Sequence, residues 1–502
     1  MRHAVRLLVL AFVGLIVLPA GSATATTTHL AQADDRPVVR VGTEGVYPPF
    51  SFHDAKTNKL TGFDIDVIKA VAKKAGWKLT FVETTFDGIF TALDAKRIDV
   101  IANQVTRNPE REAKYGLGTT YTYSRGVIVV KKGTTGIKTL ADIKKRSDDD
   151  DPVTAAESVT TSWADVARKA GAKIKAVDGF SEAAALVVRG DADLLINDNI
   201  AALDYLNTTG KDDIEIAGDA GDEVSEQVLA FRKDDPRLEE SNKALAELKA
   251  DGTLAKISEK YFKTDVTVEN SGDVDVSGGR AARSDTEVAK DAAWPMLKKL
   301  LIATIPITII SFAFGLMVAV AAALARISGS RVLSAIAKAY ISIIRGTPLL
   351  VQLFIVFYGL PEIGIKLSPW TSAILALSLN VGGYAAEVVR AAILSVPRGQ
   401  FEAASTVGMG YWQSLRRIVF PQAARIAVPP LSNTAISLLK DTSLLAVVTV
   451  TELTQEARFA AANSGAYLVL YGVAAVYYWV VCVGMSAVQG RLETRLNRFV
   501  AR

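Results

Sequence analysis

Between residues 38 and 266, short apolar runs (VVRVG, LTFVE, DVIAN, GVIVV) alternate with segments such as DIDVIKAVAKKAG, whose apolar positions recur every three to four residues. Runs of the first kind suit strands buried in a sheet and the second kind suits helices packed on it, so this region predicts a soluble α/β fold long enough for two lobes. The next stretch, VENSGDVDVSGGRAARSDTEVAKDA, has few large apolar residues and much Gly, Ser, Asp and Ala. That is a linker composition, and it places a domain boundary there. From residue 300 the alternation vanishes: 300–325 carries no charge and exceeds the ~20 residues needed to cross a bilayer. Similar runs at 339–360, 367–386, 426–448 and 467–489 bring the expected spans to five, the second interrupted by Arg345 and the fourth by Lys440 and Asp441.

Charge fixes an expected topology. The chain opens with Arg2 and Arg6, an apolar core over 7–18 and the small-residue triplet Ala23-Thr24-Ala25, which predicts a signal peptide over 1–25 and export of the α/β region behind it. The alternative, an uncleaved anchor, is disfavoured by the short apolar core. An exported first domain puts five crossings between outside and a cytoplasmic C-terminus. Arg326, Arg331, Arg398, Arg416, Arg417, Arg425, Arg491, Arg495, Arg498 and Arg502 then fall inside, against only Lys366 and Arg458 outside, as the positive-inside rule requires. The net charge of +4 over 502 residues, concentrated beside apolar runs, argues against nucleic acid as a partner. The only cysteine, Cys482, lies in an apolar run, so the exported part holds no disulfide and depends on a packed core. The acidic run 148–151 lacks the alternating spacing of a calcium loop and reads as a solvated loop.

One polar stretch lies between the third and fourth spans, in the cytoplasm. EAASTVGMGYWQSLRRIVFP, residues 402–421, predicts a short amphipathic helix, a glycine break at Gly408 or Gly410, and a second helix stopped by Pro421. On pattern alone it is either a docking element or an interfacial helix whose Arg residues snorkel to headgroups. Glu402-Ala403-Ala404, Gly408 and then Ile418-Val419-Phe420-Pro421 resemble the EAA loop of ABC transporter permeases. IRGTPLLVQLFIVFYGLP and GGYAAEVVRAAILSVPRGQFEAA extend that resemblance to polar amino acid permeases over most of 300–502. The resemblance implies that Glu402, Ala403, Ala404, Gly408, Ile418 and Pro421 couple the chain to a separate cytoplasmic ATPase. The sequence itself has no G-x-x-x-x-G-K-[ST] phosphate loop.

A free amino acid is a zwitterion, so a site for one needs an acceptor for the ammonium, a donor pair for the carboxylate and an apolar wall. VGTEGVYPPFSF, LTGFDIDVIKAVAKKAGW and DVIANQVTRNPER resemble the amino-acid-binding proteins of ABC importers over 38–266. The resemblance implies a two-lobed periplasmic-binding-protein-like domain followed by an all-α permease domain with five helices. It assigns Arg111 to the α-carboxylate, Asp198 to the ammonium, and Gln104 and Thr106 to further ligand contacts. Tyr47, Phe50 and Phe86 form the aromatic wall, and Thr160 and Thr161 a ligand-facing turn. The pattern departs at Arg107-Asn108, where Ile-Thr is usual. ANQVT, ESVTTSW and INDNIAALDYL look most like the cystine-binding branch.

The resulting expectation is an exported binding domain at 37–265, a linker at 266–292 and a membrane-embedded permease at 293–502. Together these form one subunit of an importer for a polar amino acid, cystine before glutamine. The subunit is expected as a homodimer with two copies of the ATPase, a heterodimer with another permease being the alternative, without cofactor, metal or substrate chemistry of its own. A ligand-gated channel is the competing class, but it needs pore elements inserted within the binding domain. An enzyme on the same binding fold is a third reading, opposed by the permease half.

Overall fold

The computed structural model describes residues 36–497 except 56, 149–151, 210–212, 270–282, 366 and 449. The expected signal peptide, most of the acidic run, and Lys366, Arg498 and Arg502 lie outside the described residues.

The binding region is built on one eight-stranded sheet that serves two lobes. Strand β1 (Val38–Thr43) is followed by the short strands β2 (Val46–Tyr47), β3 (Ser51–His53) and β4 (Leu60–Thr61), helix α1 (Phe63–Ala75), β5 (Lys78–Glu83), α2 (Phe86–Asp94), β6 (Val100–Thr106) and α3 (Pro109–Lys114). These form the first lobe, with β5, β1 and β6 parallel. The long strand β7 (Tyr115–Lys131) then crosses to the second lobe. That lobe holds α4 (Leu140–Asp148), β8 (Thr154–Glu157), α5 (Ser162–Lys169), β9 (Lys173–Ala176), α6 (Phe180–Arg189), β10 (Leu194–Asp198) and α7 (Asn199–Thr209). Strand β11 (Ile214–Arg232) returns antiparallel to β7 and ends beside β6, and α8 (Arg237–Ala250) and α9 (Thr253–Phe262) complete the first lobe.

Two strands thus pass between the lobes, and the β7–β11 register breaks between Asp219 and Val224, where the chain changes lobe. Such an irregularity lets a strand bend without unpairing the rest of its ladder. Val39, Val41, Val100 and Phe231 are fully buried in the first lobe; Ile128, Val130, Leu194 and Ile196 are fully buried in the second. Three of the four apolar runs read as buried strands therefore line the cores, whereas LTFVE forms the edge strand β5 and is only half-buried. Asp99, 4 % exposed, ties β1, β6 and β11 together through Arg40, Arg232 and Arg237. Burial pushes its carboxyl up, but the Arg40 hydrogen bonds and the other guanidinium charges outweigh this and hold it well below the usual range.

The second half is helical. Ser284 and Glu287 form a capping box that starts α10 (Asp285–Lys299), which continues through a π turn at Leu300–Thr304 into α11 (Ile305–Ile327). The expected linker is correspondingly shorter. Its first residues Val266 and Thr267 are buried against the binding region, and 285–292 are helix.

The expected second span is bent. Helices α12 (Arg331–Gly346) and α13 (Leu349–Phe354) belong to segments that meet at 108°. Pro348 forces Thr347 into extended backbone (φ −123°, ψ 142°), which no straight helix accepts. α14 (Pro369–Leu394) crosses as one helix, and methyl groups at Gly382 and Gly383 would fall 2.7 Å from Val318 and 2.5 Å from Ile344. These glycines allow the close helix approach typical of membrane interiors.

α15 (Arg398–Thr406) turns at Gly408 (φ +77°) into α16 (Tyr411–Ser414), a π turn at Leu415–Val419 and α17 (Phe420–Asp441). Pro421 therefore does not stop the helix. The wide π turn, whose Phe420 N–H reaches back to the Leu415 carbonyl, absorbs a residue that lacks an N–H. Lys440 and Asp441 sit at the last turn of α17, inside the bent pair Tyr411–Val448 and Leu453–Ser464. A 3-10 turn, Thr442–Val448, leads to α18 (Leu453–Ser464), bent by 53° from the preceding segment, and α19 (Tyr467–Asn497) closes the chain. Among the described residues three helices are long and apolar enough to cross a membrane, or five counting each bent pair as one span.

Candidate functional site

Between the lobes lies a cleft lined by residues from both. Arg111 enters it from the first turn of α3. Asn108 caps that helix by accepting the Arg111 N–H at 2.8 Å, so the unusual Arg107-Asn108 pair still fixes the turn. The Arg111 guanidinium donates to the Thr106 carbonyl (2.8 Å) and, across the cleft, to the Thr160 carbonyl (3.0 Å) and Ser162 Oγ (3.2 Å), all uncharged acceptors. It packs 5.2 Å from the Phe90 ring and 5.7 Å from that of Phe86. Burial lowers its pKa to about 10, so it remains a cation at neutral pH.

Asp198, 2 % exposed, ends β10 on the second lobe. Its carboxylate receives Ser124 Oγ and lies 2.7 Å from the Tyr47 hydroxyl, which is also 2.6 Å from Asn197 Oδ1. Burial raises its pKa against these hydrogen bonds. A buried cation from one lobe and a buried carboxylate from the other, neither paired with the other, make a site shaped for a zwitterion.

The remaining expected residues separate. Tyr47, Phe86, Gln104, Thr106 and Thr161 line the cleft with Arg111 and Asp198. Gln104, with φ +47°, sends its amide nitrogen to Asp64 Oδ1 (2.6 Å), leaving Oε1 buried without a partner and available as an acceptor. Thr161 spends its hydroxyl capping α5 (3.1 Å from Ala164 N). Phe50 is not in the wall: it is fully buried, 5.9 Å from Phe262 and 5.2 Å from Tyr47, and it supports Tyr47 from behind. Thr160 is at the rim, exposed, with its hydroxyl and N–H on Asp87 (2.7 and 3.0 Å), so it joins the lobes rather than lining the cleft.

Sequence reasoning missed Glu44, Asn103, Ser158, Ser162, Trp163, Gly179, Phe180 and Asn197. Glu44 matters most chemically. Its carboxylate accepts from Asn103 Nδ2 (2.6 Å), and burial pushes its pKa up to about 7. It is a second acidic group inside the same cleft, and only its place in the VGTEGVYPPF segment signalled it.

At the loop 398–421, Glu402, Ala403, Gly408 and Pro421 are exposed, Ile418 is half-buried, and Val407, Tyr411 and Trp412 expose large apolar surfaces. Ala404 instead is buried, facing its own helices.

Comparison with known proteins matches two separate stretches of the chain. Residues 39–264 match the bacterial extracellular solute-binding proteins, family 3, and residues 312–498 the binding-protein-dependent transport system inner membrane component. The L-cystine transport system permease protein TcyB of Bacillus subtilis (strain 168) is 49 % identical over 43 % of this chain and 93 % of its own length. The L-cystine-binding protein TcyA of the same organism is 44 % identical over 46 % of this chain and 83 % of its own length. The glutamine transport system permease protein GlnP of Escherichia coli (strain K12) is 33 % identical over 41 % of this chain and 96 % of its length.

Proposed function

The chain belongs to the amino-acid ABC transporters, joining a family 3 solute-binding domain to an inner membrane permease component in one polypeptide, and from that premise we propose that it is the receptor and permease subunit of an ATP-driven L-cystine importer. The observation that carries the reading is the pairing, in one cleft, of buried Arg111 on the first lobe with buried Asp198 on the second.

In this reading Arg111 clamps the α-carboxylate and Asp198 with Tyr47 receives the α-ammonium. Thr106 and the free Gln104 Oε1 take the remaining polar groups, Thr161 shapes the turn at the cleft through its cap on α5, and Phe86 packs on the carbon chain. Cystine is favoured over glutamine by the 49 % identity to the cystine permease against 33 % to the glutamine permease, with the binding half 44 % identical to a cystine-binding protein. The binding domain works outside the membrane after removal of residues 1–25. Two copies of the chain pair with a separate ATPase, which docks on Glu402, Ala403, Gly408, Ile418, Pro421 and the exposed apolar residues between them. ATP binding then drives the spans between outward- and inward-facing states. A gated channel fits less well, because every helix of spanning length follows residue 284 among the described residues.

Thermal-shift measurement of the purified chain against L-cystine, glutamine and the other amino acids tests the reading. A shift with cystine exceeding all others supports it. A shift with glutamine alone replaces the substrate, and no shift with any amino acid removes the function.

A further inference from the structure

One short helix of the permease, α18, touches both lobes of the binding domain, and the two contacts differ in kind. Toward the first lobe, Phe459 is 1 % exposed and stacks on the His53 ring (centroids 4.3 Å, 16° between planes) within an apolar cluster of Val46, Phe459 and Ala462. Asn463 donates to the His53 carbonyl at 2.8 Å, and Asn58 donates to Glu456. The same lobe is held at a second place: the Arg97 guanidinium lies 3.6 Å over the Phe357 ring and donates to the carbonyls of Phe357 and Leu367. Two separated attachments, each with a buried aromatic, resist rotation as well as detachment.

Toward the second lobe α18 makes the same number of polar contacts, but among the described residues no aromatic stack accompanies them. Ser181 Oγ donates to the Ala462 carbonyl (2.7 Å), and Arg458 pairs with Asp178 (3.1 Å), whose side chain is 55 % exposed. An exposed pair of that kind contributes little. Beside it a cavity of about 390 Å³, lined by Glu182, Leu186, Arg189, Tyr467 and Tyr471, keeps the rest of α6 off the permease. Yet the segment these bonds hold is the cleft wall itself, since Gly179 and Phe180 line the ligand cleft.

We propose that the first lobe is the fixed seat of the receptor on its own permease and the second lobe is the half that swings. In this arrangement the Arg458–Asp178 and Ala462–Ser181 contacts act as a releasable latch that holds the cleft shut. Opening about the β7–β11 crossing then breaks the Arg111, Thr160 and Tyr47 bridges between the lobes together with the latch, and leaves the Phe459 and Arg97 attachments in place. α18 follows α17 through residues 442–448, so displacement of the loop at 398–421 reaches the latch along one continuous stretch of chain. The inference rests on the cleft being the ligand site, but the identity of the amino acid does not enter it.

Spin-label distances on the full chain test it, in a Cys482→Ser background. One pair reports on the first lobe (Lys78→Cys with Leu468→Cys) and one on the second (Lys169→Cys with Leu468→Cys), all three positions being exposed. Without any added amino acid, combining Asp178→Asn and Ser181→Ala should lengthen and broaden the second-lobe distance by several ångströms and leave the first-lobe distance within its original width. A shift in the first-lobe pair equal to or greater than that of the second, or no shift in either, overturns the proposal. Whether added L-cystine narrows the second-lobe distribution reports separately on the substrate.

Discussion

Replacing Arg111 with alanine removes the only cation lining the cleft among the described residues. Arg111 is 8 % exposed, and the three hydrogen bonds of its guanidinium go to uncharged acceptors, two of them across the cleft. In the ligand-free chain the loss is therefore mild, because carbonyls of Thr106 and Thr160 take water once the side chain is gone. In the complex it is not mild, since the ligand carboxylate enters a site closed by Phe86 and Trp163 with no opposite charge. Truncating one partner of such a desolvated pair costs about 2 to 5 kcal/mol. That corresponds to an affinity loss of roughly 30-fold to several thousand-fold. Calorimetric titration of L-cystine into the full-length variant reads the number directly, and the unliganded melting temperature checks that the lobes remain folded. A folded variant that binds within about threefold of wild type would refute the assignment of Arg111 to the ligand, and with it the zwitterion geometry.

Three further outcomes are expected. Glu44, raised from the ordinary glutamate range to about 7 by burial, contributes stability that is fully present below pH ~4.5 and lost as pH rises through 7, so the melting temperature should fall over that window and fall less in Glu44→Gln. Asp64, raised to about 7 by burial, adds to the same fall, which is why Glu44→Gln flattens the curve only in part. Gly408→Val, at φ +77°, and Glu402→Lys should abolish uptake by reconstituted complexes while leaving amino acid binding unchanged; normal uptake in both returns the loop to an interfacial helix pair.

The elements that the sequence carried well were those with a strong local period. Buried strands and the amphipathic α1 declared themselves, and the cleft residues Arg111 and Asp198 came from motifs whose backbone setting, a capped turn and a strand end, is itself local. The errors came from tertiary context. Phe50 and Tyr47 are near neighbours in the same aromatic run, and only the turn between β2 and β3 decides that one faces the cleft and the other Phe262. Thr160 and Thr161 are adjacent, yet one lies on Asp87 and the other caps a helix. Hydropathy counts apolar residues but is blind to direction, so it ran a straight span through Thr347-Pro348 where the chain turns by 108°. Pro421 misled for the opposite reason, because the π turn that begins at Leu415 made room for it.

The helix that begins at the Ser284 cap has a bearing on supply and demand in the cell. With 269 held near the receptor and 283 at the foot of α10, the covalent path between them spans no more than about 50 Å however it runs. A receptor so leashed cannot be shared among distant channels, and each copy made brings a permease domain with it. Capture capacity and transport capacity are then locked in a one-to-one ratio. Scarcity of the amino acid has to be met by making more whole transporters, whereas a cell with a free receptor can enlarge its pool of scouts alone.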